Sequence, residues 1–241
     1  MRVLLLGGTA EASTLARALA TQGVDATFSY AGRTRNPVAQ PLPTRIGGFG
    51  GAQGLADYLR DNAITHLIDA THPFAARISA NAIAAAQETN TPLAALERPA
   101  WTPQPGDHWT HVPDAQTAAA ALPDQQTGVF LAIGRQSLTP FQGLPHRWLL
   151  RFADFEPGQP VPLNAQLVVS RGPYTVAGDI ALMRQHAIGI VVAKNAGGQG
   201  ARAKLDAARA LSLPVILIGR PTLPPRLTLP DPQSVLGWLG L

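Results

Sequence analysis

Leu4-Leu5-Leu6-Gly7-Gly8-Thr9-Ala10-Glu11 is the stretch whose reading decides the fold. The apolar run Val3 to Leu6 reads as a strand buried on both faces. Two glycines follow at once, then an alanine- and leucine-rich segment from Glu11 to Gln22 that Gly23 stops, so the order is strand, tight turn, helix. At such a junction a helix offers unpaired N–H groups and the positive end of its dipole, and glycines let a phosphate approach the backbone. The common Gly-x-Gly-x-x-Gly spacing is absent, because Glu11 and Ala12 stand where its last glycine would fall. Gly7, Gly8, Thr9, Ala10 and Glu11 are therefore candidate cofactor-binding residues on a turn of unusual detail. A plain turn between strand and helix is the competing reading of the same residues.

Outward from this turn the alternation continues. Ala26 to Tyr30 reads as a second strand and Thr44 to Ile46 as a short third, followed by the cluster Gly47-Gly48-Phe49-Gly50-Gly51 and a helix from Ala52 to Asn62. His66 to Ala70 is the next strand, Pro73 sits where a helix to Glu88 should begin, and Pro92 to Glu97 closes the set. Apolar strands alternating with amphipathic helices mean a parallel sheet covered on both faces. The proline-rich segment from Arg98 to Thr127, with Trp101, Trp109 and a helical stretch after Asp114, reads as a crossover.

A second alternation follows. Its strands are Val129 to Ile133, Trp148 to Arg151, Gln166 to Ser170, Gly189 to Ala193 and Pro214 to Ile218; its helices are Val176 to His186 and Ala201 to Leu211. A short helix is expected after Asp231. The fold class is α/β, drawn as two similar units in tandem on parallel sheets. No sequence repeat is evident, and the boundary is expected between residues 1–112 and 113–241.

Three further clusters fall at predicted strand ends. Ser29-Tyr30-Ala31-Gly32-Arg33-Thr34-Arg35 follows the second strand. Sites for NAD place an acid there for the ribose hydroxyls, whereas this loop has no acid and two arginines. A guanidinium fork without a competing carboxylate suits a 2′-phosphate, so Ser29, Gly32 and Arg33 point to NADP(H), with solvated loop arginines as the alternative. Asp69-Ala70-Thr71-His72-Pro73 follows the next strand. Thr71 and His72 either cap a helix or face the cofactor. In the second half, Ser170-Arg171-Gly172-Pro173-Tyr174, Lys194-Asn195-Ala196-Gly197-Gly198 and Gly219-Arg220 each follow a strand. Arg171, Lys194 and Arg220 are expected on one cationic rim for a polyanionic ligand. His72, Tyr174 and Lys194 are the candidate proton donors, though solvent would also serve.

The 241 residues suit one large or two modest domains; 46% are hydrophobic and 14% charged, which excludes a disordered chain. Cysteine is absent, so disulfides and thiolate metal sites are excluded, and no metal is expected. No apolar run reaches the roughly 20 residues of a membrane span, and nothing reads as a secretion signal, so a cytoplasmic location is expected. The net charge is +4, carried almost wholly by dispersed arginines, with lysine only at 194 and 204. A GC-rich genome and selection for carboxylate or phosphate forks both explain this pattern. No basic run interleaves with stacking aromatics, so nucleic acid is not expected as a partner. A monomer or small homo-oligomer is.

GGTAEA at the start, SYAGRT, DATHPFA, ERPAW from Glu97 to Trp101, KNAGG and LPVILIGRP together resemble the precorrin-6A reductase family, in the family's order and over nearly the whole chain. The resemblance implies two Rossmann-like domains with the ligand cleft between them and NADPH as hydride donor. It implies reduction of one double bond of the tetrapyrrole precorrin-6A to precorrin-6B in cobalamin biosynthesis, without metal or flavin. The ring's acetate and propionate arms would then meet Arg98, Arg171, Lys194 and Arg220. Two other readings are a generic NADP-dependent reductase of a smaller substrate and a non-catalytic two-domain nucleotide- or ligand-binding module. Against the first stands the absence of a Tyr-x-x-x-Lys pair; fold alone does not settle the second.

Overall fold

The computed structural model describes residues 1–32, 38–152 and 160–241. The chain runs β1 (Arg2–Leu6), α1 (Ala10–Thr21), β2 (Asp25–Tyr30), β3 (Thr44–Ile46), α2 (Ala52–Asp61), β4 (His66–Asp69), α3 (Ala76–Thr89) and β5 (Leu93–Leu96). It continues through β6 (His108–Val112), α4 (Ala115–Ala120), β7 (Gly128–Ala132), two 3-10 turns (Arg135–Ser137 and Thr139–Phe141), β8 (Arg147–Phe152) and β9 (Ala165–Val169). Then come α5 (Val176–Gln185), β10 (Ile190–Lys194), α6 (Ala203–Ala210), β11 (Pro214–Ile218), β12 (Leu227–Leu229) and α7 (Pro232–Leu239).

Two compact units result: Met1–Pro99 with Thr222–Leu241, and Ala100–Pro221. Each holds a six-stranded sheet, in the orders β12-β5-β4-β1-β2-β3 and β6-β11-β10-β7-β8-β9. All pairings are parallel. The strand order is thus the same twice, with the sixth strand of each sheet supplied from outside the five-strand run.

The boundary expected after residue 112 is corrected on two counts. His108–Val112, read as part of a crossover, is β6 and pairs with β11 of the second unit. Leu227–Leu229, embedded among prolines, is β12 and pairs with β5 of the first unit, bringing α7 back with it. Both are edge strands with few buried positions, so neither carries the apolar run by which central strands announce themselves.

The first unit shows how sequence becomes layers. In β1, Val3 and Leu5 pack with Leu15, Leu19 and Leu236 on one face, while Leu4 and Leu6 pack with Leu55, Leu59 and Ala82 on the other. The period-two alternation of a strand therefore feeds two cores at once. In α1 the buried side chains are Ala12, Leu15, Ala16 and Leu19, the three-four spacing of one helical face. The second unit gathers Phe130, Leu149, Val191, Leu217, Met183 and Leu205 around Trp101. Beneath α5, Arg151 and Asp179 form a buried ion pair at 2.5 Å, with the guanidinium 3.7 Å from the centre of the Tyr174 ring. Among the described residues no helix is long and apolar enough to cross a membrane.

Candidate functional site

In the first sheet, β1 and β4 are neighbours although β2 and β3 intervene in sequence, so the chain leaves β1 one way and β4 the other. Crevices for ligands open at the carboxyl ends of strands at such a reversal. Here a cavity of about 290 Å³ is lined by Gly7, Gly8, residues 29–32, the glycine cluster 47–51, Thr71, His72 and the start of α3. This lies at the small end of the roughly 300–1,000 Å³ of small-molecule sites. It offers room for part of a dinucleotide.

Two glycines shape its floor for different reasons. A Cβ on Gly7 would lie 2.0 Å from the buried Phe28 ring, so only hydrogen fits. Gly8 has φ +133, a conformation that side chains rarely adopt, with open space where its Cβ would be. Thr9 then caps α1. Its Oγ1 accepts from the Ala12 N–H at 3.1 Å and donates to the Ala70 carbonyl at 2.9 Å, tying the β1 turn to the end of β4. Ala10 and Glu11 form the first turn of α1, where N–H groups precede the first intrahelical bond. Glu11 would repel a phosphate there, but its carboxylate is held 2.6 Å from Arg98 Nη1. The Arg98 guanidinium thus neutralises the acid beside the turn.

At the opposite wall Ser29 is buried and its Oγ accepts from Arg45 Nη1 at 2.8 Å. Arg45 also donates to the carbonyls of Gly47 (3.0 Å) and Gly48 (3.2 Å) and lies 3.8 Å from the Phe49 ring centre. Burial lowers the Arg45 pKa from its ordinary value. This arginine, which the sequence reading passed over, thus braces the loop of the glycine cluster. Gly54 matters for the same loop: a Cβ there would stand 1.8 Å from the Phe49 carbonyl oxygen. Arg33 and Arg35 lie outside the described residues.

Thr71 does not cap a helix, and Pro73 does not begin one. Thr71 donates from both N–H (3.1 Å) and Oγ1 (2.7 Å) to the buried Asp69 carboxylate, while His72 Nδ1 accepts from the Phe74 N–H at 3.2 Å. This turn delays α3 to Ala76, whose N-cap, Ala75, supplies no side chain to the exposed N–H groups. With Nδ1 engaged as acceptor, the neutral His72 ring carries its proton on Nε2, and the residue lines the cavity. Gly7, Gly8, Ser29, Gly32, Thr71 and His72 therefore line one cavity; Thr9, Ala10 and Glu11 stand behind its turn. Arg77 and Asn81 also line it and were missed, since nothing in a helical stretch marks which face it shows to a cavity.

In the second unit the three cations stand at the carboxyl ends of three strands of one sheet. Lys194 ends β10 and Arg220 follows its neighbour β11, while Arg171 follows β9, three strands away from β10, on a loop that returns toward the β10 loop: a Cβ on Gly172 would stand 3.5 Å from the Gly200 carbonyl oxygen. Arg220 donates to the carbonyls of Asn195 (3.1 Å) and Ala196 (3.2 Å). Burial lowers the Lys194 pKa below the usual lysine value. The Tyr174 hydroxyl donates to the Ser170 carbonyl at 2.9 Å, which commits its proton to the backbone. Among the described residues no group of three His, Asp or Glu side chains is arranged to hold a metal ion.

Comparison with known proteins bears on this geometry over the full length. Residues 2–240 match the family model described as precorrin-6x reductase CbiJ/CobK. The chain is 59% identical to a precorrin-6A reductase of Rhodobacter capsulatus, over 99% of this chain and 96% of that one. It is 43% identical to one of Mycobacterium tuberculosis (92% and 90% covered), and 30% identical to a cobalt-precorrin-6A reductase of Priestia megaterium (92% and 91%). A solved structure named CobK precorrin-6A reductase superposes with a TM-score of 0.95 at 57% identity, covering 100% of this chain and 96% of the other. With its cavity at the strand reversal of a Rossmann-like sheet and this similarity end to end, the chain belongs to the precorrin-6x reductase CbiJ/CobK family.

Proposed function

We propose that this protein is a precorrin-6A reductase of cobalamin biosynthesis that uses NADPH, bound in the first unit, to reduce one double bond of the macrocycle and yield precorrin-6B. The observation that carries the cofactor half is the open, glycine-lined cavity at the β1/β4 reversal, directly before the N-terminus of α1. The substrate half rests on the family and on the higher identity to precorrin-6A reductases than to the cobalt-precorrin-6A reductase, which favours the metal-free ring.

The residues fit the dinucleotide. The turn at Gly7 and Gly8 and the N–H groups of Ala10 and Glu11 suit the pyrophosphate, with Arg98 offsetting the Glu11 charge. Ser29 and Gly32 belong to the ribose end, where among the described residues no acid lines the cavity to oppose a 2′-phosphate, and Arg33 is assigned to that end from its place in the sequence. Thr71 and His72 edge the same site. Bound NADPH supplies a hydride; the chain's part is to hold the reacting carbons at reacting distance and to exclude water. Of the three candidate proton donors, the Tyr174 hydroxyl is held by a carbonyl, leaving His72, Lys194 and solvent. Arg171, Lys194 and Arg220 are offered as partners for the ring's carboxylate arms. The site is read as belonging to a cytoplasmic enzyme.

The test is to mix purified protein, NADPH and precorrin-6A and follow loss of the reduced-nicotinamide absorbance together with product mass. Oxidation that depends on the tetrapyrrole, with a product heavier by a pair of hydrogen atoms, is expected. Tight NADPH binding without turnover would instead favour the non-catalytic module. Arg33→Ala should weaken NADPH by on the order of tenfold and spare NADH; equal losses would remove the 2′-phosphate role from Arg33.

A further inference from the structure

We infer that Arg77 is a specificity-determining residue of the dinucleotide site, supplying a guanidinium to the 2′-phosphate from the first turn of α3. The inference deepens the NADPH reading and rests on it. The cavity runs from the end of β2 (Ser29–Gly32) across the glycine cluster 47–51 to Arg77, Ile78 and Asn81. In a doubly wound sheet the ribose that carries the 2′ substituent lies at the end of the second strand. This cavity therefore extends from that ribose position to α3, with Arg77 on its wall.

Four observations select Arg77 from the described cations of this region, beside the role read for Arg33 from the sequence. Its side chain is exposed and makes no hydrogen bond or ion pair with any described residue. Arg45, beside the glycine cluster, is committed to Ser29 Oγ and two carbonyls. Among the described residues no Asp or Glu lines the cavity to compete for a cation. Finally, α3 and α2 both begin there with no side-chain cap and no acid in the first turn, so their positive ends face the same space. A guanidinium standing in such a field gains little from its own protein and much from an incoming dianion. A phosphate monoester has that charge and accepts two parallel N–H bonds from one fork. NADPH carries such a group and NADH does not.

The experiment titrates wild type, Arg77→Ala and Arg77→Lys with NADPH, NADH and adenosine 2′,5′-bisphosphate by calorimetry, with thermal unfolding as a folding control. Arg77→Ala is expected to weaken NADPH and the bisphosphate by on the order of tenfold, to leave NADH within about twofold, and to keep the wild-type Tm. Arg77→Lys should recover part of the NADPH loss, because charge is kept and the fork is not. Equal weakening of NADPH and NADH would put Arg77 on the shared pyrophosphate and overturn the inference. So would unchanged binding of all three, including the case where only the KM for precorrin-6A rises, which would assign Arg77 to a carboxylate arm of the macrocycle. A wild-type chain that binds neither dinucleotide would sink the cofactor reading itself, and this inference with it.

Discussion

The two sheets share one strand order and treat the reversal point in opposite ways. In the first, Leu6 pairs with Asp69, and the chain continues into Gly7-Gly8 and straight into the twelve-residue α1. In the second, Ala132 pairs with Ala193 at the matching level, but Ile133 occupies the place of Gly7 and is buried. Gly134 keeps a positive φ like Gly8, yet leads into 3-10 turns instead of an α-helix. No helix dipole therefore points at the second reversal from this turn. The β10 loop there is also filled from within. The Asn195 side chain accepts from the Trp101 N–H at 2.7 Å and donates to its carbonyl at 3.0 Å, and the Trp101 indole donates to the Gly198 carbonyl at 2.7 Å. Strand order thus decides where a crevice can open. The first residue after the strand, and the kind of helix that follows, decide whether it takes a phosphate.

The largest effect that could break this contrast lies in the second unit. Removing one partner of a buried ion pair leaves an uncompensated charge, so Asp179→Ala should cost about 3–5 kcal/mol of stability in denaturant unfolding. NADPH affinity of the folded protein should stay unchanged. If NADPH binding falls as well, the second unit contributes to the dinucleotide site and the contrast is too sharp. A smaller effect is expected at the first reversal: Gly7→Ala must displace the Phe28 ring, at about 1–3 kcal/mol for an overpacked core, and should weaken NADPH and NADH alike. Loss of stability with intact dinucleotide binding would separate the turn from the cofactor.

The smallest effect is one of pH. Burial lowers the His146 pKa from its ordinary 6.5, and the more exposed His66 is lowered as well, with the N-terminal charge adding to burial. A histidine depressed in the folded state takes its proton first in the unfolded chain. Stability is therefore lost as pH falls below about 6.5, and the loss levels off below the folded value. His146→Gln should flatten that decline in the difference between variant and wild-type stability curves. An unchanged slope would move the acid sensitivity to His66 or to carboxylates.

Much of this fold was legible because its central strands are continuous apolar runs. Val3 to Leu6, Val129 to Ile133 and Pro214 to Ile218 lie where periodicity puts them. Thr9, Asp114, Thr175 and Asp231 cap helices through their side chains. The edge strands β6 and β12 were hidden, since a strand paired on one side needs few apolar residues. At DATHPFA the expected helix start at Pro73 fails because the Asp69 carboxylate and the His72 ring hold a turn that local propensity does not reveal. Ser29, Gly32, Thr71 and His72 were legible as residues at parallel strand ends. Arg45, Gly54 and Arg77 were not, because their meaning lies in what stands opposite them.

From the chain alone came the α/β class, the family, the run of strand-end loops and the absence of an acid after the second strand. All of these are local patterns or ordered motifs. Only the folded molecule decided which unit β6 and β12 complete, and that the loop after β9 returns toward the loop after β10. It alone also decided that Arg98 and Arg220 already hold protein groups while Arg77 does not. The reason is physical: hydrogen bonds, ion pairs and sheet neighbours join residues far apart in sequence, and which partner a side chain finds is a property of packing.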